Sequence, residues 1–108
     1  MITRAADATR RTIERLSPWF HNLHLGDGLE TAPEHDLGDF PAYKWRLLGQ
    51  HLPQDLSGWT ALDIGCNAGF YSFELARRGA SVLGIDREPH YLRQARWAAQ
   101  YLGLADQV

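Results

Sequence analysis

The fold of this 108-residue chain is decided by the stretch Leu62-Asp63-Ile64-Gly65-Cys66-Asn67-Ala68-Gly69. The apolar run over 60–64 predicts a short strand, and helical spacing of apolar residues follows from Gly69 to about Arg78. A second strand is predicted over 81–86, and a second helix runs from Pro89 to about Leu102, where Gly103 stops it. Strands that alternate with helices in this way predict parallel strands, side by side, joined by a right-handed crossover.

The residues before this unit follow a different pattern. Residues 3–16 predict a helix, for which Thr3 or Asp7 is a candidate cap. Residues 18–40 are rich in Gly, Pro, His and Asp and predict a long ordered loop with short extended pieces. Pro41 then opens a predicted helix to about Leu52, because proline suits the first helical position. Long loops in compact domains are often functional, so this region is a candidate to cover a binding site.

Composition limits the class of protein. The chain is 44% hydrophobic and 22% charged with a net charge of −2, which is typical of one soluble domain or part of one. This balance gives no electrostatic footprint for nucleic acid on its own. A single cysteine excludes an internal disulfide, and no apolar run is long enough to span a membrane, so we expect a cytoplasmic protein. Histidines 21, 24 and 35 lie near no cysteine, and we expect no metal site.

Each polar or flexible position around the glycine loop has a role in nucleotide binding. Gly65 allows a sharp turn off the strand and leaves room for a ligand. Gly69 lets the start of the helix pack closely against the strand and the ligand. The exposed N–H groups at this helix start favour an electron-rich ligand. Asp86 ends the next strand, 21 positions after Gly65, where a carboxylate can accept both ribose hydroxyls of an adenosine. The pattern therefore predicts a ligand that contains adenosine.

The spacing also distinguishes two cofactor classes. Dinucleotide enzymes use a G-x-G-x-x-G loop, whose middle glycine makes room for a pyrophosphate. Here Asn67 stands at the middle position, while Asp63 at the strand end suits the ammonium of an amino-acid tail. S-adenosylmethionine has such a tail and no phosphate, so the loop favours it over NAD. Cys66 is interpreted as a small packing residue of the loop, and the ring of Phe70 is a candidate cofactor contact.

Several of these motifs resemble a known family. Residues 63–69 resemble motif I of the class I S-adenosylmethionine-dependent methyltransferases, and Gly84-Ile85-Asp86 resembles their second motif. Upstream pairs such as Pro18-Trp19 and Lys44-Trp45 are similar to the branch of tRNA wobble-uridine methyltransferases that build 5-oxyacetyl-type modifications. The resemblance implies an α/β, Rossmann-like class I methyltransferase fold that is incomplete here. It consists of the first β-α-β-α unit, preceded by N-terminal helices and a long loop.

The same resemblance implies domains and further site residues. Residues 1–58 would be an N-terminal helical and loop extension covering the cofactor site, and residues 59–108 the first half of the cofactor-binding domain. Lys44, Gly65 and Asp86 would contact the cofactor, with Arg87 adjacent. Branch members that use a carboxylated cofactor have a lysine shortly after the Pro-Trp pair, where this chain has Phe20-His21. We therefore expect ordinary S-adenosylmethionine.

The leading hypothesis is a methyltransferase whose acceptor is unidentified, either tRNA or a small molecule, and whose catalytic residues cannot be named without it. The candidate cofactor-binding residues are Asp63, Gly65, Cys66, Asn67, Gly69, Phe70, Asp86, Arg87 and Lys44. Alternatives are an NAD-dependent oxidoreductase on a Rossmann fold and a non-catalytic module that binds a cofactor or partner. Complete methyltransferases of this type have more than two strands, so we expect a fragment of a longer enzyme with exposed apolar surface on its sheet.

Overall fold

The computed structural model of the chain describes residues 4–108, so the candidate cap Thr3 lies outside the described residues. The other candidate cap, Asp7, lies inside the first helical turn, where it pairs with Arg11 at 3.3 Å. The elements are α1 (Arg4–Arg15), β1 (His24–Gly26), β2 (Leu29–Glu30), α2 (Phe40–Gly49), β3 (Thr60–Ile64), α3 (Phe70–Arg77), β4 (Ser81–Ile85) and α4 (Pro89–Tyr101). None of the helices in this described range is long and apolar enough to cross a membrane.

The predicted strand–helix alternation is confirmed. β3 and β4 pair in parallel from Thr60 opposite Ser81 to Ile64 opposite Ile85, and α3 crosses between them. The long loop contains the predicted extended pieces, which form a small antiparallel hairpin of β1 and β2. The predicted end of the second helix, at about Leu52, is wrong by three residues, because α2 ends at Gly49. The chain continues in turns, in which the amides of His51 and Leu52 donate to carbonyls three residues earlier.

The N-terminal segment shares one hydrophobic core with the β-α-β-α unit. The N-terminal segment contributes core residues from its long loop and hairpin. The other core residues come from the glycine loop, α3 and α4. The buried members are Trp19, Leu23, Leu25, Leu29, Ala68, Phe70, Phe73, Ala98 and Ala99. Arg78 also ties the two parts together, since its guanidinium donates to the carbonyl of Gly49 at 2.8 Å. The segment before residue 58 therefore contacts both ends of α3: its start through the core at Phe70 and Phe73, and its end through Arg78.

One face of the parallel sheet is bare. Leu62, Ile64, Leu83 and Ile85 are 56%, 74%, 63% and 43% exposed, whereas Val82 on the opposite face is buried under α3. Alternation along each strand places these four side chains on one surface, and the register sets Leu62 beside Leu83. The predicted exposed apolar surface on the sheet is thus confirmed. A face of this kind promotes association of the isolated chain.

We expect this face to make the 108-residue chain self-associate, and paired charges on it to suppress association. The double variant Leu62→Glu/Leu83→Lys places opposite charges side by side on the exposed face. It should restore a monomer in sedimentation velocity while changing the free energy of unfolding by no more than about 0.5 kcal/mol, because both side chains are already solvated. Leu37→Glu is the control, since Leu37 is 65% exposed outside the sheet. Equal suppression by Leu37→Glu would contradict this expectation.

Candidate cofactor site

The glycine loop folds back over the end of β4. Gly65 leaves β3 with a φ of 73°, and the amides of Gly65 and Cys66 both donate to the carbonyl of Ile85, at 2.8 and 2.9 Å. Asn67 and Gly69 also have positive φ values, 53° and 100°. Glycine adopts this region freely and asparagine tolerates it better than most residues, so the sequence suits the turn.

Asp86 holds the loop to the start of α4. Its Oδ2 accepts the amide of Asn67 at 2.9 Å, and its Oδ1 accepts the amide of Glu88 at 2.9 Å. A carboxylate oxygen can accept more than one hydrogen bond, so each oxygen keeps capacity for a ligand hydroxyl. The two backbone bonds fix the orientation of the carboxylate before any ligand arrives.

An open cleft of about 500 Å³ lies where the two parallel strands end. It is lined by Ile64, Gly65, Ile85, Asp86 and Arg87. A Cβ added at Gly65 would meet no atom within 4 Å, so the space in front of this glycine is open to a ligand. Ligands of α/β sheets bind outside the carboxyl ends of parallel strands, and the cleft has this position.

Asp63 lies one residue before the end of β3 and faces α3. Its Oδ2 accepts a hydrogen bond from the Ser72 hydroxyl at 2.8 Å. Burial raises the pKa of the Tyr71 hydroxyl, and the negative charge of Asp63 raises it further. The carboxylate retains acceptor sites beyond the bond to Ser72, so a contact with the cofactor's ammonium stays a prediction.

The backbone of Cys66 forms part of the glycine loop, whereas its side chain packs beneath the loop, against Gly84 of β4. The thiol is buried, and a Cβ added at Gly84 of β4 would lie 3.1 Å from the cysteine Sγ. Burial is the main cause that raises the pKa of this thiol to about 11, and the charges of Asp63 and Asp86 add to it. The structure therefore supports the packing role, and the side chain does not line the cleft.

We expect Cys66 to react slowly with iodoacetamide in the folded protein. Raising the pKa from 9.0 to about 11 lowers the thiolate population near pH 8 by about 100-fold. Burial of the sulfur slows the reaction further. Alkylation followed by mass spectrometry, with the protein in guanidinium as the control, measures this difference. Equal rates in the two states would show that the thiol is open to solvent.

His21 contacts the residue that follows the glycine loop, and it is absent from the sequence-based candidate set. It is 5% exposed, and its Nδ1 accepts the first amide of α3, that of Phe70, at 3.3 Å. Burial lowers the pKa of this imidazole to about 4, with Asp86 acting in the opposite direction and Lys44 in the same direction. The only sequence feature that could have indicated His21 is its position directly after Pro18-Trp19 and Phe20. No local pattern links His21 to Phe70, which is 49 residues away in the chain.

The side chains of the two predicted cationic contacts, Lys44 and Arg87, are both exposed. Lys44 is exposed on α2, with its Nζ 5.5 Å from the centroid of the Phe40 ring. The Arg87 side chain is 93% exposed and pairs with Glu88 at 3.6 Å. Arg87 borders the cleft, whereas Lys44 is not among the residues that line it. Contacts of either residue with a cofactor stay predictions.

One further group of side chains has a spacing that a metal ion could bridge. Ligand atoms of His24, Glu30 and Asp39 lie within 4.8 Å of one another. The ring Nε2 of His24 lies 2.6 Å from Asp39, while its Nδ1 lies 4.0 Å from Glu30. The two carboxylates face different ring nitrogens, and the hydrogen bond between His24 and Asp39 links the hairpin to the residue before α2.

Three features define an α/β nucleotide-binding domain with part of a Rossmann-like fold. They are the glycine turn after one parallel strand, the acid at the end of the neighbouring strand, and the cleft between them. Residues 55–108, half of the chain, match the sequence family described as "Methyltransferase domain". The chain belongs to this methyltransferase domain family.

Curated relatives support this membership. The chain is 33% identical over 105 residues to a tRNA U34 carboxymethyltransferase of Idiomarina loihiensis, covering 93% of this chain and 30% of that protein. It is 44% identical over 52 residues to a ubiquinone biosynthesis O-methyltransferase of Methylobacterium sp., covering 48% of this chain and 21% of that protein. The chain thus spans less than a third of the length of these relatives.

A solved structure shows the same fold. The N-terminal domain of EvdMO1 with SAH bound superposes on 97% of this chain with a TM-score of 0.67 and 24% identity. The matched region is 44% of that domain. The N-terminal helix, loop and hairpin therefore have counterparts in that SAH-bound domain, less than half of which is represented here.

Proposed function

We propose that this chain forms part of the S-adenosylmethionine site of a methyltransferase. The observation that carries the proposal is the carboxylate of Asp86, held by two backbone amides at the edge of the open cleft beside Gly65. The ribose hydroxyls would bind Asp86, and the amino-acid tail would extend along the loop toward Asp63. Family membership and the SAH reported in a similar domain support this assignment.

The residues of this chain would act by orientation and charge. When bound, S-adenosylmethionine supplies a methyl group activated by its positive sulfur. Asp86 and the glycine loop fix the adenosine end, so that the methyl group points in one direction. Asp63 and Asp86 place negative charge near a cationic ligand, which favours its binding. Among residues 4–108 we assign no general base, because the acceptor determines which atom loses a proton.

A dinucleotide is disfavoured as the ligand. The backbone of Asn67 is left-handed, and its side-chain oxygen accepts the amide of Ala68 at 2.8 Å. Its own amide is already bound by Asp86. The side chain and these bonds occupy the place where a dinucleotide loop has a glycine that makes room for the pyrophosphate.

The methyl acceptor is left as two hypotheses. The chain is similar both to a tRNA U34 carboxymethyltransferase and to a ubiquinone biosynthesis O-methyltransferase, and tRNA differs from a small molecule in size and charge. We propose that the acceptor is either tRNA or a small molecule. Transfer of label from radioactive S-adenosylmethionine by the full-length protein, to total tRNA or to a small-molecule extract, distinguishes the two.

Thermal shifts with S-adenosylhomocysteine and with NAD test the proposal. A ligand at 100 times its Kd stabilises the native state by about 2.7 kcal/mol, which raises the Tm by several degrees. We expect this shift with S-adenosylhomocysteine at millimolar concentration and none with NAD. Stabilisation by NAD alone would overturn the assignment in favour of an oxidoreductase.

A further inference from the structure

A histidine and two carboxylates meet where the hairpin approaches the start of α2. Donor atoms of His24, Glu30 and Asp39 lie within 4.8 Å of one another, and we call this group the hairpin triad. His24 of β1 and Glu30 of β2 are paired across the hairpin, so their side chains point to the same face. Asp39 is the residue before α2, and its Oδ2 lies 2.6 Å from Nε2 of His24. Three separate segments therefore bring one nitrogen donor and two oxygen donors together.

The carboxylate of Asp39 has an oxygen without a partner. Its Oδ1 is buried and accepts no hydrogen bond from the residues that the structure describes. Aspartate is a preferred N-cap residue, yet Asp39 makes no side-chain capping bond although it occupies the N-cap position of α2. The carboxylate is bonded to His24 instead. A buried carboxylate oxygen without a donor is costly, and a bound cation removes that cost.

A buried amide orients the carboxylate of Glu30. Nδ2 of Asn22 donates to Oε1 of Glu30 at 2.8 Å, while Oδ1 of Asn22 accepts the amide of Ala32 at 2.9 Å. Asn22 is only 2% exposed, so its position is set by packing. Hydrogen bonds of this kind hold a carboxylate ligand in the orientation that a metal ion requires. Each carboxylate oxygen accepts more than one bond, so Glu30 retains capacity to bind an ion.

The charge of the hairpin triad also favours a cation. Within residues 4–108 neither carboxylate forms an ion pair with a lysine or an arginine. The negative charges of Glu30 and Asp39 repel each other, and a divalent cation between them replaces this repulsion by attraction. The side chain of His24 is 53% exposed, so water can reach the triad and complete the coordination of an ion.

We propose that the hairpin triad binds a divalent transition-metal ion, with zinc as the best fit, and that this ion fastens the hairpin to the start of α2. One ring nitrogen of His24 and one oxygen of each carboxylate would bind the ion, with water at the open position. An imidazole donor favours zinc over magnesium or calcium, which prefer oxygen donors. The inference does not depend on the proposed cofactor site.

The observed spacing is compatible with zinc. Bonds to zinc are about 2.0–2.2 Å long, so the donors around a four-coordinate ion lie about 3.3 Å apart. Small rotations of the partly exposed side chains would close the triad to this distance. Zinc would replace the hydrogen bond between His24 and Asp39, and the ring proton would then reside on the nitrogen that does not bind the ion. The sequence predicts no metal site because no cysteine lies near the histidines, whereas the carboxylates reach His24 only in the folded chain.

Calorimetric titration of zinc chloride into the full-length protein, after removal of metal with a chelator, tests the inference without any variant. We expect saturable binding of one zinc ion per chain. The Tm should rise by several degrees when free zinc is at 100 times its Kd, because the ion binds only the folded arrangement. Magnesium chloride should produce neither effect. Absence of saturable zinc binding, or an equal response to magnesium, overturns the proposal and leaves the hairpin triad as an ion pair only.

Variants then assign the zinc ion to the hairpin triad. His24→Gln, Glu30→Gln and Asp39→Asn should each weaken zinc binding at least about tenfold. Asp36→Asn and His51→Gln are the matched controls, because both residues are exposed outside the triad, and they should keep the wild-type affinity. Thermal melts in chelator show which variants fold, and if one of the triad variants does not, the other two decide. Unchanged zinc affinity in a folded triad variant, or an equal loss in a control, contradicts the assignment.

Discussion

Replacing Asp86 with asparagine is expected to weaken binding of S-adenosylhomocysteine by about 100-fold or more. Each hydrogen bond between a charged acceptor and a ribose hydroxyl contributes about 1.5–3 kcal/mol, and the variant loses the charge from both. The amide of asparagine also cannot accept from both Asn67 and Glu88, because one of its two terminal atoms is a donor. The loop therefore loses an anchor at the same time as the ligand loses a partner.

Calorimetric titration measures this loss, and a thermal melt of the same sample shows whether the variant remains folded. Glu88→Gln is the matched control, because its half-exposed carboxylate lies two residues away and pairs only with Arg87 among the contacts of the described chain. The control should bind within about twofold of the wild type. A folded Asp86→Asn protein with wild-type affinity would remove Asp86 from the cofactor site.

Replacing Gly69 with alanine is expected to destabilise the protein by about 2–4 kcal/mol, from two separate causes. The backbone at Gly69 has a φ of 100°, which a residue with a Cβ adopts only with strain. The added Cβ would also lie 2.8 Å from Cζ of Phe73, a core ring that is 1% exposed. Neither the ring nor the loop can move away without disturbing the packing at the start of α3.

A double-mutant cycle with Phe73→Leu separates the two causes in urea unfolding. The smaller leucine removes the contact but not the backbone strain, so Gly69→Ala should cost less in that background by about 1–2 kcal/mol. Gly103→Ala is a control for positive φ alone, since a Cβ there meets nothing within 4 Å. A cost for Gly69→Ala no larger than for Gly103→Ala would show that Phe73 does not restrict the position.

The β-α-β-α unit was predictable because its signals are local. An apolar strand, a glycine at the turn, helical spacing and a terminating glycine all lie within a few residues of the element they define. Asp86 could be placed at the site for the same reason, since parallel strands end at the same edge of a sheet. The conformations of Gly65 and Gly69 also follow from residue type, because the turn requires positive φ there.

The remainder of the site depends on contacts between distant residues. His21 reaches the amide of Phe70 only after the long loop has packed on α3, and no periodicity records that contact. The packing of Cys66 against Gly84 likewise depends on how the two strands pair, which residue type alone does not give. Lys44 was placed by resemblance, and its exposed position on α2 reflects the packing of that helix. Side-chain direction across elements is thus the part that sequence patterns leave undetermined.

Titration of S-adenosylhomocysteine into ¹⁵N-labelled protein, followed by amide chemical shifts, tests most directly that the glycine loop is the cofactor site. We predict saturating shifts that are largest for the amides of Gly65, Asn67 and Glu88, because these amides turn around the cleft and are bonded to Ile85 or Asp86. The amides of α1, which contributes no residue to the lining of the cleft, should move little. Saturable binding that leaves the loop amides unshifted, or no shifts at millimolar ligand, would contradict the account.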